Sequence, residues 1–423
     1  MPSYNYARFL PTAIESVLNQ SYELFELIVV DNGSTDGSYE IALDYAERDA
    51  RIRVLTHAGR ENRGVNASLN LGVREAGGEY FGLLPADDLY LPDGLERRVR
   101  LLETAPEAGF AYGRAQLIDE TGEPTGTIGG RSPEEMVGFD ATGDLLQALL
   151  FHDFVPGAAM LTRRDLLIAI GGFDEAVFFN DWYVAMRLLA RARCLFVSGE
   201  PVVGYRLHER HRSEENRDAD RPRRLELFRA LSAHAAAADD DLAKPRVRAL
   251  IALQLAVHAY RLGELGEART AVADAFTVDP SLQDDAAYIA WWLDPRHGEW
   301  SLALSADERR LFLTSLSTPT GSFDGVLAAG SDYTVFADLV LSAAADALGA
   351  EARTRIAWTV AAEQLEAVAA GPQIGVLASA LIRAVRRPSL LRLRPFIKTI
   401  LCAAGLWPLA AKLRARRVIT IAR

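Results

Sequence analysis

The stretch Leu83-Leu84-Pro85-Ala86-Asp87-Asp88 runs from apolar residues straight into two adjacent carboxylates. A strand tip with that composition can hold a divalent cation beneath a diphosphate, because the strand is rigid and its end faces the crevice of an open α/β sheet. A second tip has the same character. Phe25 to Val30 is a short apolar, β-branched run, and it passes into Asp31-Asn32-Gly33-Ser34-Thr35-Asp36-Gly37, a turn-forming cluster that begins with a carboxylate. A third acid, Asp181, opens a helical pattern with Ala185, Leu188, Leu189 and Ala192 as its apolar stripe, so a packed helix would fix its position. Plainer readings exist for each: a polar turn at Asp31 to Gly37, an N-cap pair at Asp87-Asp88 for a helix after Pro92, and a cap at Asp181 for its own helix.

Around these groups, strand, turn and helix alternate. Pro2-Ser3-Tyr4-Asn5-Tyr6 reads as a loop entering a helix with Phe9, Ala13, Val17 and Leu18 on one face. Asn62-Arg63-Gly64 opens another helical segment, which ends at Gly77-Gly78 before a strand over Tyr80 to Leu84. Such alternation predicts an α/β fold with a mostly parallel sheet and flanking helices.

Taken in order, Pro2-Ser3-Tyr4-Asn5, Glu26 to Gly37, Asn62-Arg63-Gly64, Asn70-Leu71-Gly72, Gly78-Glu79-Tyr80, Gly171 to Glu175 and Asn180-Asp181-Trp182 resemble glycosyltransferase family 2. The resemblance covers about the first half of the chain, to Ser213. It implies a GT-A (Rossmann-like) fold, a nucleotide-diphosphate sugar donor, a divalent metal (Mn2+ or Mg2+) and transfer with inversion at the anomeric carbon. Carried onto these residues, it implies that Asp31 accepts a hydrogen bond from the nucleotide base, commonly uracil. Pro2, Tyr4, Asn5, Asn62 and Gly64 would line the nucleotide pocket. Asp87 would meet metal and nucleotide, with Asp88 beside it, and His208 would stand near the diphosphate as a metal ligand or a phosphate donor. Asp181, flanked by Asn180 and Trp182, would take the proton from the acceptor hydroxyl. His208 has its own plain reading, a solvated histidine among Arg206, Arg210, His211 and Arg212.

Three departures stand out. Pro85 occupies the position two before Asp87 where the family usually has an acid, Asn180 replaces the usual Glu, and only Met1 precedes the Pro2 motif where the family has an apolar first strand. Loss of most of that strand would leave neighbouring backbone groups unpaired, so the expectation is a late start and a gain in stability when in-frame upstream codons are added.

A chain of 423 residues exceeds the usual single core. The expected division is a GT-A domain over 1–215, an α-helical accessory domain over 216–375 and a basic amphipathic tail over 376–423, with the charged stretch Glu209 to Arg224 as connector. Within the helical region, Leu255 to Pro280 resembles one tetratricopeptide-type hairpin, and a single copy cannot build a solenoid. That region would hold the acceptor, a partner or a second protomer. Cys194 and Cys402, far apart, point to a reducing compartment without a disulfide framework. No signal peptide and no membrane-spanning apolar run is read, so the expected location is cytoplasmic, peripheral on the inner membrane face.

Net charge is -11, but eleven of the 46 basic residues lie between Ile382 and Arg423 without a single acid, so the remaining 35 face 57 acidic residues. The tail's mixture of Leu, Ile, Phe and Trp with Arg and Lys suits either an anionic lipid surface or packing on the acidic body. Nucleic acid is excluded as a partner by that acidic body. A sugar nucleotidyltransferase would need a Gly-rich basic phosphate loop, which Pro2 to Arg8 does not offer. The alternative of a catalytically degenerate scaffold draws on Pro85, Asn180 and the absent first strand. The resulting expectation is a bacterial enzyme of polysaccharide or glycoconjugate assembly acting on a glycan or lipid-linked acceptor, whose chemistry the stretch Gly122 to Gly143 leaves unread.

Overall fold

The computed structural model describes residues 1–129, 132, 144–208 and 217–284. The basic tail, most of the helical accessory region, most of Gly122 to Gly143 and the first part of the connector lie outside the described residues. The chain forms two compact units, Met1–Val247 and Arg248–Arg423.

The first unit opens on a parallel sheet of β1 (Pro2–Ser3), β2 (Leu27–Asp31) and β3 (Ile52–Thr56), in that spatial order. All of β2 is buried, as expected of a continuous Leu-Ile-Val-Val run in a parallel sheet covered on both faces. Pro2 and Ser3, read from sequence as loop, are strand: Val30 N–H donates to Met1 O (2.8 Å), Asn32 N–H to Ser3 O (2.9 Å) and Ala86 N–H to Pro2 O (3.3 Å). The short β1 therefore has hydrogen-bonded neighbours on both sides, with β2 on one and the Leu83 to Asp88 stretch on the other. Helix α1 (Leu10–Leu18), with Pro11 in its first turn, buries Leu10, Ala13, Ile14 and Val17 on one face. Helices α2 (Ser38–Arg48) and α3 (Val65–Glu75) complete this part.

The strand expected over Tyr80 to Leu84 is shorter. β4 (Tyr80–Gly82) ends before Pro85, and the chain turns at Ala86-Asp87, with Asp88 N–H on Pro85 O at 3.2 Å. Beyond β5 (Leu89–Tyr90) and α4 (Gly94–Glu103) come β6 (Ala108–Gly113), β7 (Ala115–Ile118) and β8 (Pro124–Ile128), then α5 (Leu145–Phe151), β9 (Leu161–Arg163), α6 (Arg164–Ala169), α7 (Asn180–Leu189), β10 (Arg193–Val197) and β11 (Val203–Arg206). They form two further four-stranded sheets, ordered β10-β6-β9-β4 and β5-β11-β7-β8. Pairing is parallel for β6/β10 and β7/β11. It is antiparallel where β9 meets β4 and β6, where β11 meets β5, and in the β7–β8 hairpin, whose short turn admits no other direction. The core joins Leu10, Ile14, Val29, Ile52, Leu84, Val99, Leu102 and Val203.

Helix α7 is more deeply set than a single stripe predicts. Every residue from Trp182 to Met186 is buried, because α5 and α8 (Arg217–Ala237) cover further faces: Trp182 Nε1–H donates to Leu149 O (2.6 Å) and its ring meets Phe228 edge-on at 5.7 Å. Packing of α8 carries the first unit past residue 215 to Val247. Two helices follow, α9 (Pro245–Arg261) and α10 (Leu265–Val278). They are joined at Gly263, where Glu264 N–H donates to Ala259 O at 2.9 Å. Among the described residues no helix is long and apolar enough to cross a membrane.

Candidate active site

Asp31 ends β2, 1 % exposed. Its Oδ2 accepts from the N–H groups of Gly33 and Ser34 (3.2 Å each), and Arg60 stands 3.8 Å away, whereas Oδ1 is buried and has no hydrogen-bond partner. Gly33, at φ +82°, is required here: a Cβ would lie 2.6 Å from Arg60 O, so the loop after β3 closes on the turn only over a bare backbone. Asn32 knits the same loops, accepting from Arg63 N–H (2.9 Å) and donating to Asn62 Oδ1 (3.0 Å), which also accepts from Gly64 N–H (3.0 Å). Asn5, at φ +58°, caps the turn through its Oδ1 on Thr35 N–H (2.8 Å), and its own N–H donates to Ser34 Oγ (3.1 Å). Tyr4 beside it is 45 % exposed. The turn is therefore a tied set of loops with one unsatisfied carboxylate oxygen at its centre.

Asp87 and Asp88 are both buried, and the residue at the N-cap of α4 is Asp93, which removes the plain capping reading of the pair. Asp88 Oδ1 accepts from Arg206 N–H (2.9 Å), so this carboxylate is turned toward β11. Burial, and then the charge of Asp87, push its pKa well above the usual carboxylate range. Arg206 braces the turn further, donating through Nε to Asp87 O (2.8 Å) and through Nη1 to Asp119 O and Glu120 O (3.0 Å each). His208 is no surface histidine. Its ring is buried against Phe9 (5.0 Å) and Tyr6 (5.8 Å), with Nε2 3.2 Å from Asp87 Oδ2. Among the described residues, no three His, Cys, Asp or Glu side chains gather into a metal-binding group.

Asp181 lies inside the first turn of α7, whose N-cap is Phe179, so it is not the cap. Its Oδ1 accepts from Trp182 N–H (2.9 Å), and Gly157 N–H donates to the same carboxylate. A Cβ at Gly157 would lie 2.6 Å from Asp181 Cβ and 2.8 Å from Oδ2. Burial raises the Asp181 pKa, and the backbone amides of Trp182, Asp181 itself and Gly157 oppose that rise.

Asn180, where the resemblance expects Glu, donates to Asn66 Oδ1 on α3. Asn66 in turn donates to Asp174 O (2.6 Å) and Val177 O (2.7 Å), and Asn70 pairs with both backbone groups of Phe173 (2.8 and 2.9 Å). The helix that starts at the Asn62–Gly64 loop thus holds the segment leading to Asp181. A cavity of about 260 Å³ lies between them, lined by Arg63, Asn66, Glu175, Phe178, Arg223 and Glu226.

Topology relates the three acids. Asp31 and Asp87 stand on either side of β1, through the bonds of Asn32 to Ser3 and Ala86 to Pro2. β9 runs antiparallel to β4 with Gly82 opposite Leu161, so the residues before Leu161, Gly157 included, lie at the sheet end where Asp87 follows Gly82. Asp181 rests on Gly157 and shares that end. Sequence reasoning did not find Arg206, Asn66 or Gly157. Only Asn66 left a signal, since two Asn four apart on a helix present amides on one face.

Residues 1–169 match the family described as Glycosyl transferase family 2. An uncharacterized glycosyltransferase of Rickettsia typhi is 29% identical over 210 residues, covering 49% of this chain and 63% of that protein. One of Haemophilus influenzae is 28% identical over 213 residues, covering 49% of this chain and 64% of that protein. The chain thus spans less than two thirds of the length of these relatives. Among solved structures, residues 1–349 of Staphylococcus aureus TarS in complex with UDP-GlcNAc are similar with a TM-score of 0.49 at 17% identity, covering 81% of this chain and 89% of that one. Residues 1–169 are thus similar to glycosyltransferase family 2 domains.

Proposed function

We propose that the protein is a metal-dependent, inverting glycosyltransferase that moves a sugar from a nucleoside diphosphate, with uridine the expected nucleoside, to a hydroxyl of a glycan or lipid-linked acceptor in polysaccharide or glycoconjugate assembly. The observation that carries the reading is the orphaned Asp31 Oδ1. A buried carboxylate oxygen without a partner is costly, and an imide N–H of a nucleobase is a donor that would satisfy it. Pro2, Tyr4, Asn5, Asn62 and Gly64 surround that position as pocket wall.

The Asp87 carboxylate and the His208 imidazole are a donor pair suited to a divalent ion such as Mn2+ or Mg2+, with diphosphate oxygens as its further ligands. When bound, that ion would stabilise the charge of the departing diphosphate as a Lewis acid. Asp88 supports the turn through β11. Asp181 is the base, held by Gly157 and Trp182 and raised in proton affinity by burial, which suits a carboxylate that must accept a hydroxyl proton. The 260 Å³ cavity is small for a nucleotide sugar and suits one sugar unit of the acceptor. The helical region is assigned to an accessory domain that holds the acceptor or a second protomer, and the basic tail to the inner membrane face.

A thermal-shift panel of nucleotide sugars with and without Mn2+ tests the reading. A selective, Mn2+-dependent response identifies the donor, and Asp87→Ala removes both the response and donor hydrolysis. Asp181→Ala is expected to abolish transfer while nucleotide binding persists. Silence across the whole panel would instead favour a scaffold.

A further inference from the structure

The loop after β3 carries an arginine whose side chain is held in place without a hydrogen bond. Arg60 is fixed along its backbone: its N–H donates to His57 O (2.9 Å), its carbonyl oxygen closes on Gly33, and it sits at φ +53°, a left-handed conformation uncommon outside glycine. Its guanidinium lies over the ring of Tyr39, at the start of α2, 3.8 Å from the centroid. Nη2 also stands 3.8 Å from Asp31 Oδ2. Among the described residues that guanidinium makes no hydrogen bond, and the side chain is 42 % exposed.

A plain ion pair is a poor account of this placement. An arginine paired with a carboxylate ordinarily closes to below about 3 Å, often through two N–H groups at once. Here the separation exceeds a hydrogen bond, and the aromatic contact sets the plane of the guanidinium. Stacking occupies the face of that group and leaves its N–H donors, which lie in the plane, open to an acceptor. Beside them is Asp31, whose Oδ1 is buried without a partner. The two residues thus set an unfilled donor next to an unfilled acceptor.

We propose that Arg60 is a specificity-determining residue, donating from its guanidinium to the carbonyl oxygen of a nucleobase whose adjacent ring N–H meets Asp31. This inference rests on the reading of Asp31 as the nucleobase acceptor. Bases divide on that pattern. Uracil presents N3–H beside O4 and guanine N1–H beside O6, so either satisfies both residues. Cytosine and adenine present a bare ring nitrogen beside an amino group, which sets acceptor against carboxylate and donor against guanidinium. A site built for one hydrogen-bonding pattern rejects the other because its own polar groups are then left unpaired. The sugar donor is accordingly a nucleoside diphosphate of uracil or guanine.

Calorimetric titration of the full chain with UDP, GDP, CDP and ADP in Mn2+ tests the assignment without turnover. UDP or GDP is expected to bind at least about tenfold tighter than CDP and ADP. Arg60→Met should weaken that preferred nucleotide by about tenfold to a hundredfold, as for loss of a hydrogen bond from a charged donor, while CDP and ADP move by less than about twofold. Arg60→Gly, which suits φ +53°, should give the same loss and serves if the methionine variant does not fold. Equal weakening of all four nucleotides would put the guanidinium on a phosphate and overturn the assignment, as would an unmoved preference. Asp31→Ala separates the two readings. If it abolishes nucleotide binding while the Arg60 variants change nothing, the nucleobase acceptor stands and the role of Arg60 falls. If it leaves every affinity unchanged, the acceptor reading falls and takes this inference with it.

Discussion

Gly157 shapes Asp181 by having no side chain. A Cβ there would lie 2.6 Å from Asp181 Cβ, and the amide that now grips the carboxylate would be forced away. Gly157→Ala is therefore expected to displace Asp181, the proposed base, by a fraction of an ångström to an ångström, a misplacement that costs on the order of 10²-fold in rate. Donor affinity should hold within about twofold, because Asp31 and Asp87 lie on other loops; steady-state kinetics beside calorimetric titration of the donor separates the two effects. An unchanged kcat would remove the positioning role. The acids at Asp31, Asp87 and Asp181 are legible in sequence because each follows or opens an element whose hydrophobic pattern announces it. Gly157 is not, since its meaning arises from a tertiary approach to Asp181, far along the chain. Asn180 reads as a lost charge and proves to be an amide bonded to Asn66.

The element that governs the site is α3, which begins at the Asn62–Gly64 loop and carries two amides facing the segment 173–180. Asn70→Ala leaves both backbone groups of Phe173 without their partners, which should destabilise the protein by about 1–3 kcal/mol and speed hydrogen exchange over 173–180 well before α1 is affected. Uniform exchange across the chain would contradict the local role. In β10, burial raises the Cys194 thiol to about 12 from 9.0. Above pH 9.0 the unfolded chain loses this proton while the folded one keeps it, so stability falls as pH rises toward 12, at up to about 1.4 kcal/mol per pH unit. Cys194→Ala should flatten that part of the melting-temperature profile. Strand order was partly readable: β-branched runs mark β2, and alternation with helices marks its parallel neighbours. The antiparallel insertion of β9 was not, because Leu161–Arg163 is too short to carry a period, and only its pairing with β4 and β6 defines it.

At the scale of the whole molecule the dominant feature is charge segregation: eleven basic residues without an acid from Ile382 onward, against 35 basic and 57 acidic in the rest. Two destinations compete for that tail. Packing on the acidic body would satisfy its charge within the molecule, whereas a membrane rich in anionic lipid offers a surface that also accepts Leu390, Leu391, Phe396, Ile397 and Trp407. The proposed function takes the second, in which each basic residue near such a surface contributes about 1 kcal/mol and the apolar side chains add to it, while surface ion pairs within a protein contribute up to about 1 kcal/mol. The full chain should therefore cosediment with phosphatidylserine vesicles at low ionic strength, lose most of that binding near 0.5 M salt, where screening shortens the range of the field to a few ångströms, and show little affinity for neutral phosphatidylcholine. A chain ended before Ile382 should remain in the supernatant with its donor response intact. If that shorter chain instead melts at a markedly lower temperature and the full chain ignores vesicles, the tail belongs to the body.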